Sequence, residues 1–592
     1  MGASMGHASH TAGMSIARAN ARQSSAVVAA LQAQGIDDVI ISPGARNAPL
    51  VLAIAAQPSL RTTVITDERV AAFFALGLAR TRGQPVALVC TSGSAGTHYF
   101  PAVAEASGAS VPLLLITADR PAELHHCGAP QTMPQADLYG THVRRFYELP
   151  TPCDDVPAQA AGWIIAQAVH ATRAPIPGPV HVNAPFREPL WHPDAHHDVA
   201  TFASPRIFHG PASLPDDAWQ TLAEDVASAQ RGVIVAGPAD LGARTALHDA
   251  ASAFARHARW PIIAEITSPL RTPWSEPVIT AGDALLRCPR FAERQKPDRV
   301  ICFGQPPTSK AIVQWLHRHA AGRMSAVRPW PLWQDPTHGL DRLVVAPPAE
   351  FCREMLRRTP ERRENTWLRA WQDADARARE VIDGCAAGQM WEGPVVAALV
   401  AAMPAGALIH AGNSMAVRDL DTFAPRRTEP LQVLANRGVN GIDGVLSSAL
   451  GAAMAQPGTP MFVLTGDLAF AHDVAALRLG VELGLSATVV VLNNGGGGIF
   501  DHLPLARSND SFTRFFTTPS DLDIGRMATA SGARWRRAES SADLLQICAE
   551  EVTCAGIGVI EARFDHTKSA ALHRDVWSQV QHAIDGEANL CR

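Results

Sequence analysis

The chain holds ten cysteines but no C-x-x-C pair, so neither a zinc site nor a redox motif is expected of them. Several sit in apolar runs such as Val300-Ile301-Cys302-Phe303, which reads as mostly buried, reduced thiols and not as a disulfide framework. Charge of neither sign dominates. Lys+Arg total 51 against 56 Asp+Glu, a net charge of -5, so no basic field exists to hold nucleic acid or an anionic membrane. No G-x-x-x-x-G-K-[ST], H-E-x-x-H or G-x-S-x-G occurs, which leaves P-loop NTPase, zincin and nucleophile-elbow hydrolase without support. The first twenty residues lack an apolar core, so no secretory signal is expected and the cytoplasm is the expected compartment. Two long uncharged stretches, 393–417 and 445–466, are broken by Pro, Gly, Asn or Ser. They read as buried helix plus strand and not as membrane spans.

What is present is an alternation of short apolar strands and helical runs. Asp38–Ile41, Pro85–Cys90 and Val111–Ile116 are separated by Ala/Leu-rich helical segments, the pattern of a parallel sheet covered on both faces. The layout returns late in the chain at Pro460–Leu464 and Ala487–Leu492, a weak internal repeat of arrangement. Between them lie Arg231–Gly237, Pro261–Glu265 and Arg299–Gly304. The expected fold class is α/β, with three doubly wound, mainly parallel domains over 16–190, 205–365 and 385–592. Linkers are expected at the Pro/His-rich 189–205 and at the charged 357–379. The latter reads as a solvated helix, with Trp367 and Trp371 as its packing face.

The most informative local feature is Gly466-Asp467 at one strand end and Asn493-Asn494 at the next, with Gly495–Gly498 following. One helix plus one strand separates them, which places Asp467 and Asn494 side by side at the carboxyl edge of a parallel sheet, where open α/β sheets bind ligands. Both offer oxygen, as a hard cation such as Mg2+ requires, and the glycines let backbone approach the ion and its anion. Taken singly, each residue is more simply a helix cap or an Asn-Gly turn.

In these residues the chain resembles the thiamine diphosphate (ThDP) enzymes, with Leu468 where the family often has Gly. The resemblance implies that Asp467, Asn494 and the carbonyl of Gly496 hold Mg2+ (or Mn2+), and that Gly466, Leu468 and Ile499 adjoin the cofactor. It also implies a carboxylate against the aminopyrimidine, and Glu68 in Thr66-Asp67-Glu68-Arg69 matches it as the catalytic residue. An acidic first helical turn that suits the macrodipole is the plainer account of Glu68 alone. In this family such a domain meets the metal-binding domain of another subunit, which implies a homodimer or a dimer of dimers.

Further motifs resemble one branch of that family, the carboligases of menaquinone biosynthesis. They are Ile41-Ser42-Pro43-Gly44-Ala45-Arg46, Cys127–Gln131, Asn183–Leu190, Gly412-Asn413-Ser414 with Val417-Arg418-Asp419, and Asn436-Arg437-Gly438 with Gly441–Gly444. The branch joins 2-oxoglutarate to isochorismate with loss of CO2. Each substrate carries two carboxylates, which guanidinium groups bind bidentately while staying charged. The resemblance makes Ser42, Arg46, Arg120, Gln131, Lys310, Ser414, Arg418 and Arg437 substrate contacts, with Ala311 where some relatives carry Arg. Ile442 is the expected apolar prop of the bent cofactor, Ser414 a second cofactor contact, and Ile499, Phe500 and Leu503 an apolar wall beside the second substrate. No histidine is assigned; His98, His125, His126 and His502 read as packing or surface residues. An acetolactate synthase-like carboligase and a non-catalytic nucleotide-binding protein are the alternatives.

Overall fold

The computed structural model describes residues 2–195, 205, 207, 214–239, 244–363, 366–385, 390–503 and 512–586, with backbone alone at 2–12 and 566. Residues 196–204 of the expected linker lie outside them.

Three six-stranded sheets carry the architecture, and their strand pairings are parallel. The first contains β1 (Asp38–Ile41), β2 (Arg61–Val64), β3 (Val86–Cys90), β4 (Leu113–Asp119), β5 (Phe146–Glu148) and β6 (Pro179–Pro185), in the order β2-β1-β3-β4-β6-β5. The second contains β7 (Gly232–Ala236), β8 (Ile262–Ala264), β9 (Val278–Ile279), β10 (Arg299–Phe303), β11 (Met324–Arg328) and β12 (Leu340–Val345), ordered β12-β11-β10-β7-β8-β9. The third contains β13 (Leu408–Ala411), β14 (Gln432–Leu434), β15 (Met461–Gly466), β16 (Ala487–Asn493), β17 (Arg534–Ala538) and β18 (Ile557–Arg563), ordered β14-β13-β15-β16-β18-β17. Position for position, the first and third orders are the same, so the repeat suspected from layout is a repeat of topology. β3, β4 and β16 are buried along their whole length, as strands covered on both faces must be.

The uncharged stretches resolve into helix and strand: Glu392–Ala402 with β13, and Val445–Ala455 with β15. Among the described residues no helix is long and apolar enough to cross a membrane. None of the nine described cysteines is in a disulfide; four are buried and two, Cys127 and Cys554, are exposed, so burial is less general than composition suggested. The 357–379 segment also differs from expectation. Trp367 and Trp371 do pack, but the helix Thr366–Cys385 is no solvated linker, because Asp375 and Arg379 are buried on it. Asp375 accepts from the Thr280 and Ala281 amides at 2.9 and 2.6 Å and pairs with Arg426 at 2.5 Å. Buried charge of this kind persists only when hydrogen-bonded and paired.

The chain forms two compact units: residues 1–209 with 436–455, and 210–435 with 456–592. Within the first, the helix Glu68–Arg82 starts on Asp67, whose side chain accepts from the Arg69 amide, and stops on Gly83 at φ +66°. It crosses the helix Val445–Ala455 backbone to backbone. A Cβ at Gly77 would sit 1.9 Å from the Ser448 carbonyl oxygen, and one at Gly451 would sit 2.0 Å from that of Phe74. Alanine in an open helix is favoured over glycine. Here the contact should reverse that sign: Gly77→Ala should lower the first thermal unfolding transition, at a cost of about 1–3 kcal/mol for overpacking. A transition that stays put or rises would show that the two helices can separate freely.

Candidate cofactor and substrate sites

Parallel strands deliver their carboxyl ends to one edge, and the candidate residues of the first unit gather there. Ser42 follows β1, Glu68 follows β2, and Arg120 follows β4. Arg46, Arg120 and Gln131 meet at the Thr91-Ser92 turn after β3. The Arg46 amide donates to Thr91 Oγ1 at 3.3 Å, Arg120 donates to Ser92 Oγ and to the Gln131 carbonyl, and Gln131 Nε2 donates to the Ser92 carbonyl at 3.1 Å. The Tyr99 hydroxyl donates to Ser42 Oγ at 3.2 Å. Arg46 is buried and held by the Phe186 carbonyl at 3.0 Å and Glu188 at 2.6 Å. Burial, and then the nearby Arg46 cation, lower the pKa of Arg120. Two guanidinium groups drawn together in this way favour an anion between them.

Glu68 is half-buried at the start of its helix and has no hydrogen-bond or ion-pair partner among the described residues. In the same unit, Ile442 is 42 % exposed in the loop ahead of the helix Val445–Ala455. That loop, which also bears half-buried Arg437, is pinned from below. The buried carboxylate of Glu105 accepts from the Gly438 and Val439 amides, each at 2.7 Å, and Arg80 lies 3.5 Å from it. Glu105 carries no sequence signal of this role, because its partners lie more than 330 positions away.

In the second unit, β15 and β16 pair with Gly466 opposite Leu492, so Asp467 and Asn494 leave neighbouring strand ends. Asn493 is spent on structure, donating to Glu561 at 2.7 Å and accepting from the Gly495 amide at 3.2 Å. Asn494 differs: its Oδ1 is buried with no donor among the described residues. Burial raises the Asp467 pKa, while the Leu468 and Gly496 amides and Ser520 work against it. Gly496 has φ +146°, and a Cβ there would lie 2.5 Å from the Thr517 carbonyl oxygen, so glycine is required. A buried carboxylate, an amide oxygen without a donor and a close backbone strand fit a hard divalent cation, whose remaining positions a diphosphate would fill. No group of three His, Cys, Asp or Glu suited to a metal occurs among the described residues, as expected of such a shared site.

Ser414 follows β13 at φ +69° and ψ −130°, a costly conformation for a residue with a side chain. Its carbonyl accepts from Arg418. Arg418 lines a cavity of about 1280 Å³ together with Lys310, Ala311, Ile499 and Leu503. Burial lowers the Arg418 pKa and nearby Asp419, Asp283 and Glu265 offset part of this. Phe500 is 37 % exposed and meets Phe516 edge-on at 6.0 Å; it does not line this cavity.

The same cavity reveals residues the motifs do not mark. His502 and His573 both line it, their rings edge-on at 5.1 Å. His573 is buried against Asp419 at 2.8 Å, and Ser569 donates to the buried Glu392 at 2.7 Å. Burial would lower His573, but Asp419 and Glu392 outweigh it and raise its pKa from 6.5 to about 8. No short spacing links Asp419 to His573, which are 154 positions apart.

The pair sets a pH dependence. Because His573 binds its proton more tightly when folded, its stabilisation is complete below pH 6.5 and lost as pH rises through about 8. The gain should be about 2 kcal/mol. Thermal unfolding of the wild type should therefore weaken between pH 6.5 and 8.5 more steeply than that of His573→Gln. Parallel curves would mean that the histidine is neutral at both ends of the range.

Residues 22–139 match the thiamine pyrophosphate enzyme N-terminal TPP binding domain, 213–409 the middle domain of thiamine pyrophosphate enzymes, and 416–562 the C-terminal TPP binding domain. The 2-succinyl-5-enolpyruvyl-6-hydroxy-3-cyclohexene-1-carboxylate synthase of Geobacillus kaustophilus is 41% identical over 94% of this chain and 97% of its own. Synthases of the same name from Chloroflexus aurantiacus and Listeria innocua are 38% and 35% identical, over 94% and 93% of this chain and 96% of theirs. The chain belongs to the 2-succinyl-5-enolpyruvyl-6-hydroxy-3-cyclohexene-1-carboxylate synthase family of ThDP-dependent enzymes.

Proposed function

We propose that this chain performs the reaction for which its relatives are named, joining the four-carbon remainder of decarboxylated 2-oxoglutarate to isochorismate in menaquinone biosynthesis. The observation that carries the reading is the near full-length similarity to those synthases, which spans both halves of the cofactor signature. ThDP, when bound, supplies the electron sink for loss of CO2. Glu68 shares a proton with the pyrimidine ring nitrogen, and its lack of a protein partner leaves the carboxylate available for that bond. Ile442 gives the cofactor an apolar support. Asp467, Asn494 and the Gly496 carbonyl would hold Mg2+ or Mn2+ together with the cofactor diphosphate, with Gly466, Leu468 and Ile499 adjoining the cofactor.

Arg46, Arg120 and Arg437, with Ser42 and Gln131, engage substrate carboxylates and the keto oxygen, and Arg418, Lys310 and Ser414 do so from the other motifs. Guanidinium forks hold each carboxylate at two points and so limit rotation of the reacting carbon. Ile499, Phe500 and Leu503 exclude water beside the ring substrate. As in the ThDP enzymes it resembles, the chain works as a homodimer or a dimer of dimers in the cytoplasm. Neither nucleic acid nor a membrane is a partner.

Isochorismate should be consumed only when 2-oxoglutarate, ThDP and Mg2+ are all present. With cofactor saturating, Glu68→Gln should slow CO2 release from 2-oxoglutarate roughly 100-fold or more, the scale of a lost proton-transfer group. Wild-type turnover in that variant would remove Glu68 from the reaction. Asp467→Ala should weaken ThDP binding in calorimetry with Mg2+ present, and an unaltered Kd would refute the metal-ligand assignment.

A further inference from the structure

His502 stands on the wall of the cavity lined by Lys310 and Arg418, and none of the roles above uses it. It is half-buried, and neither ring nitrogen has a partner among the described residues. Its neighbour His573 is fully committed. Trp391 and Phe423 enclose the His573 ring edge-on at 5.1 and 5.6 Å, Nε2 meets Asp419 at 2.8 Å, and Nδ1 meets the Ser569 carbonyl at 2.9 Å. A carbonyl can only accept and a carboxylate accepts best, so these partners favour a proton on both ring nitrogens and the imidazolium form of His573. The charges that act most strongly on His502 are those of His573, Arg574 and Arg287, opposed by Asp501. Burial and this largely cationic surround disfavour a second proton on His502, whose pKa falls to about 4. A neutral imidazole offers one donor and one acceptor.

That pairing suits a hydroxyl; Thr308, Ser309, Gln314, Thr422, Ser578 and Gln581 also line the cavity with a donor and an acceptor, but of these neutral groups His502 alone lies between Ile499 and Leu503 in the sequence. Lys310 and Arg418 only donate. Of the acidic side chains that line the cavity, Asp283 pairs with Arg287 at 2.7 Å, Asp421 accepts from the Ile266 amide at 2.8 Å, Asp419 pairs with His573, Glu293 pairs with Lys296, and Asp501 accepts from the Thr517 hydroxyl at 3.5 Å. Ile499 and Leu503, two of the three residues expected as an apolar wall beside the ring substrate, flank His502 in sequence and line the same cavity; the third, Phe500, does not.

Resting on the functional reading above, we propose that His502 contacts the ring substrate, hydrogen-bonding its hydroxyl group, and that Asp419–His573 is the positioning pair that holds the His502 ring in place and uncharged. The hydroxyl in question is the one the relatives' product name retains as 6-hydroxy. His502→Leu should raise the KM for isochorismate about tenfold, the scale of one neutral hydrogen bond, with the effect falling on that substrate and not on the KM for 2-oxoglutarate. His502→Gln, which keeps a donor and an acceptor, should recover most of the loss. His573→Phe keeps the ring packing but removes the imidazolium. The isochorismate KM, level from pH 5.5 to 8 in the wild type, should then become pH-dependent, and adding His502→Leu should abolish that dependence. An isochorismate KM within twofold of wild type in His502→Leu overturns the contact, and a level profile in His573→Phe overturns the positioning pair. A wild-type chain that turns over 2-oxoglutarate but never consumes isochorismate overturns the functional reading and this role with it.

Discussion

Parallel pairing is the constraint on which the rest of this molecule depends. A parallel strand cannot turn back through a short hairpin, so each must be followed by a crossover that starts from the same sheet edge. Ser42, Glu68, the Thr91-Ser92 turn and Arg120 in one sheet, and Ser414, Asp467 and Asn494 in another, all occupy that edge. The side chains proposed for cofactor and substrate are therefore distant in sequence yet placed at strand ends, most of them on buried strands.

The second organising factor is how charge is held away from water. Some buried groups are fully answered, such as Asp375 by two amides and Arg426, or Glu105 by two amides and Arg80. These fix loops and helices. Others are left incomplete among the described residues: half-buried Glu68 has no hydrogen-bond or ion-pair partner, and Asn494 Oδ1 has no donor. Incomplete polar groups are costly in a folded protein, and at these two positions the proposed cofactor and metal would supply the missing partner.

Much of this was legible in the sequence. The Asp467-to-Asn494 interval could be read because one helix and one strand have a nearly fixed length, and apolar runs located eight of the eighteen described strands, nearly all within a residue or two. The repeat of topology was legible as rhythm, with no identity of residues to support it. What escaped were features made by distant partners. Charge density over 357–379 suggested solvation, yet Asp375 and Arg379 are buried because their partners lie elsewhere in the chain. His502 sits beside a recognised motif, but its environment is created by residues about seventy positions later and by Asp419 before it. Glu105 is silent for the same reason.

The excursion of residues 436–455 into the first unit bears on how the molecule is made. The chain leaves that unit after residue 209, builds residues 210–435, and only then returns to supply the helix that fills the groove at Gly77. Synthesis runs from the amino terminus, and domains tend to fold as they emerge. The first unit therefore waits on the ribosome with its Gly77 groove open until all of 210–435 has been translated. Any nascent chain truncated before residue 455 exposes that apolar groove, a natural point for a chaperone to engage.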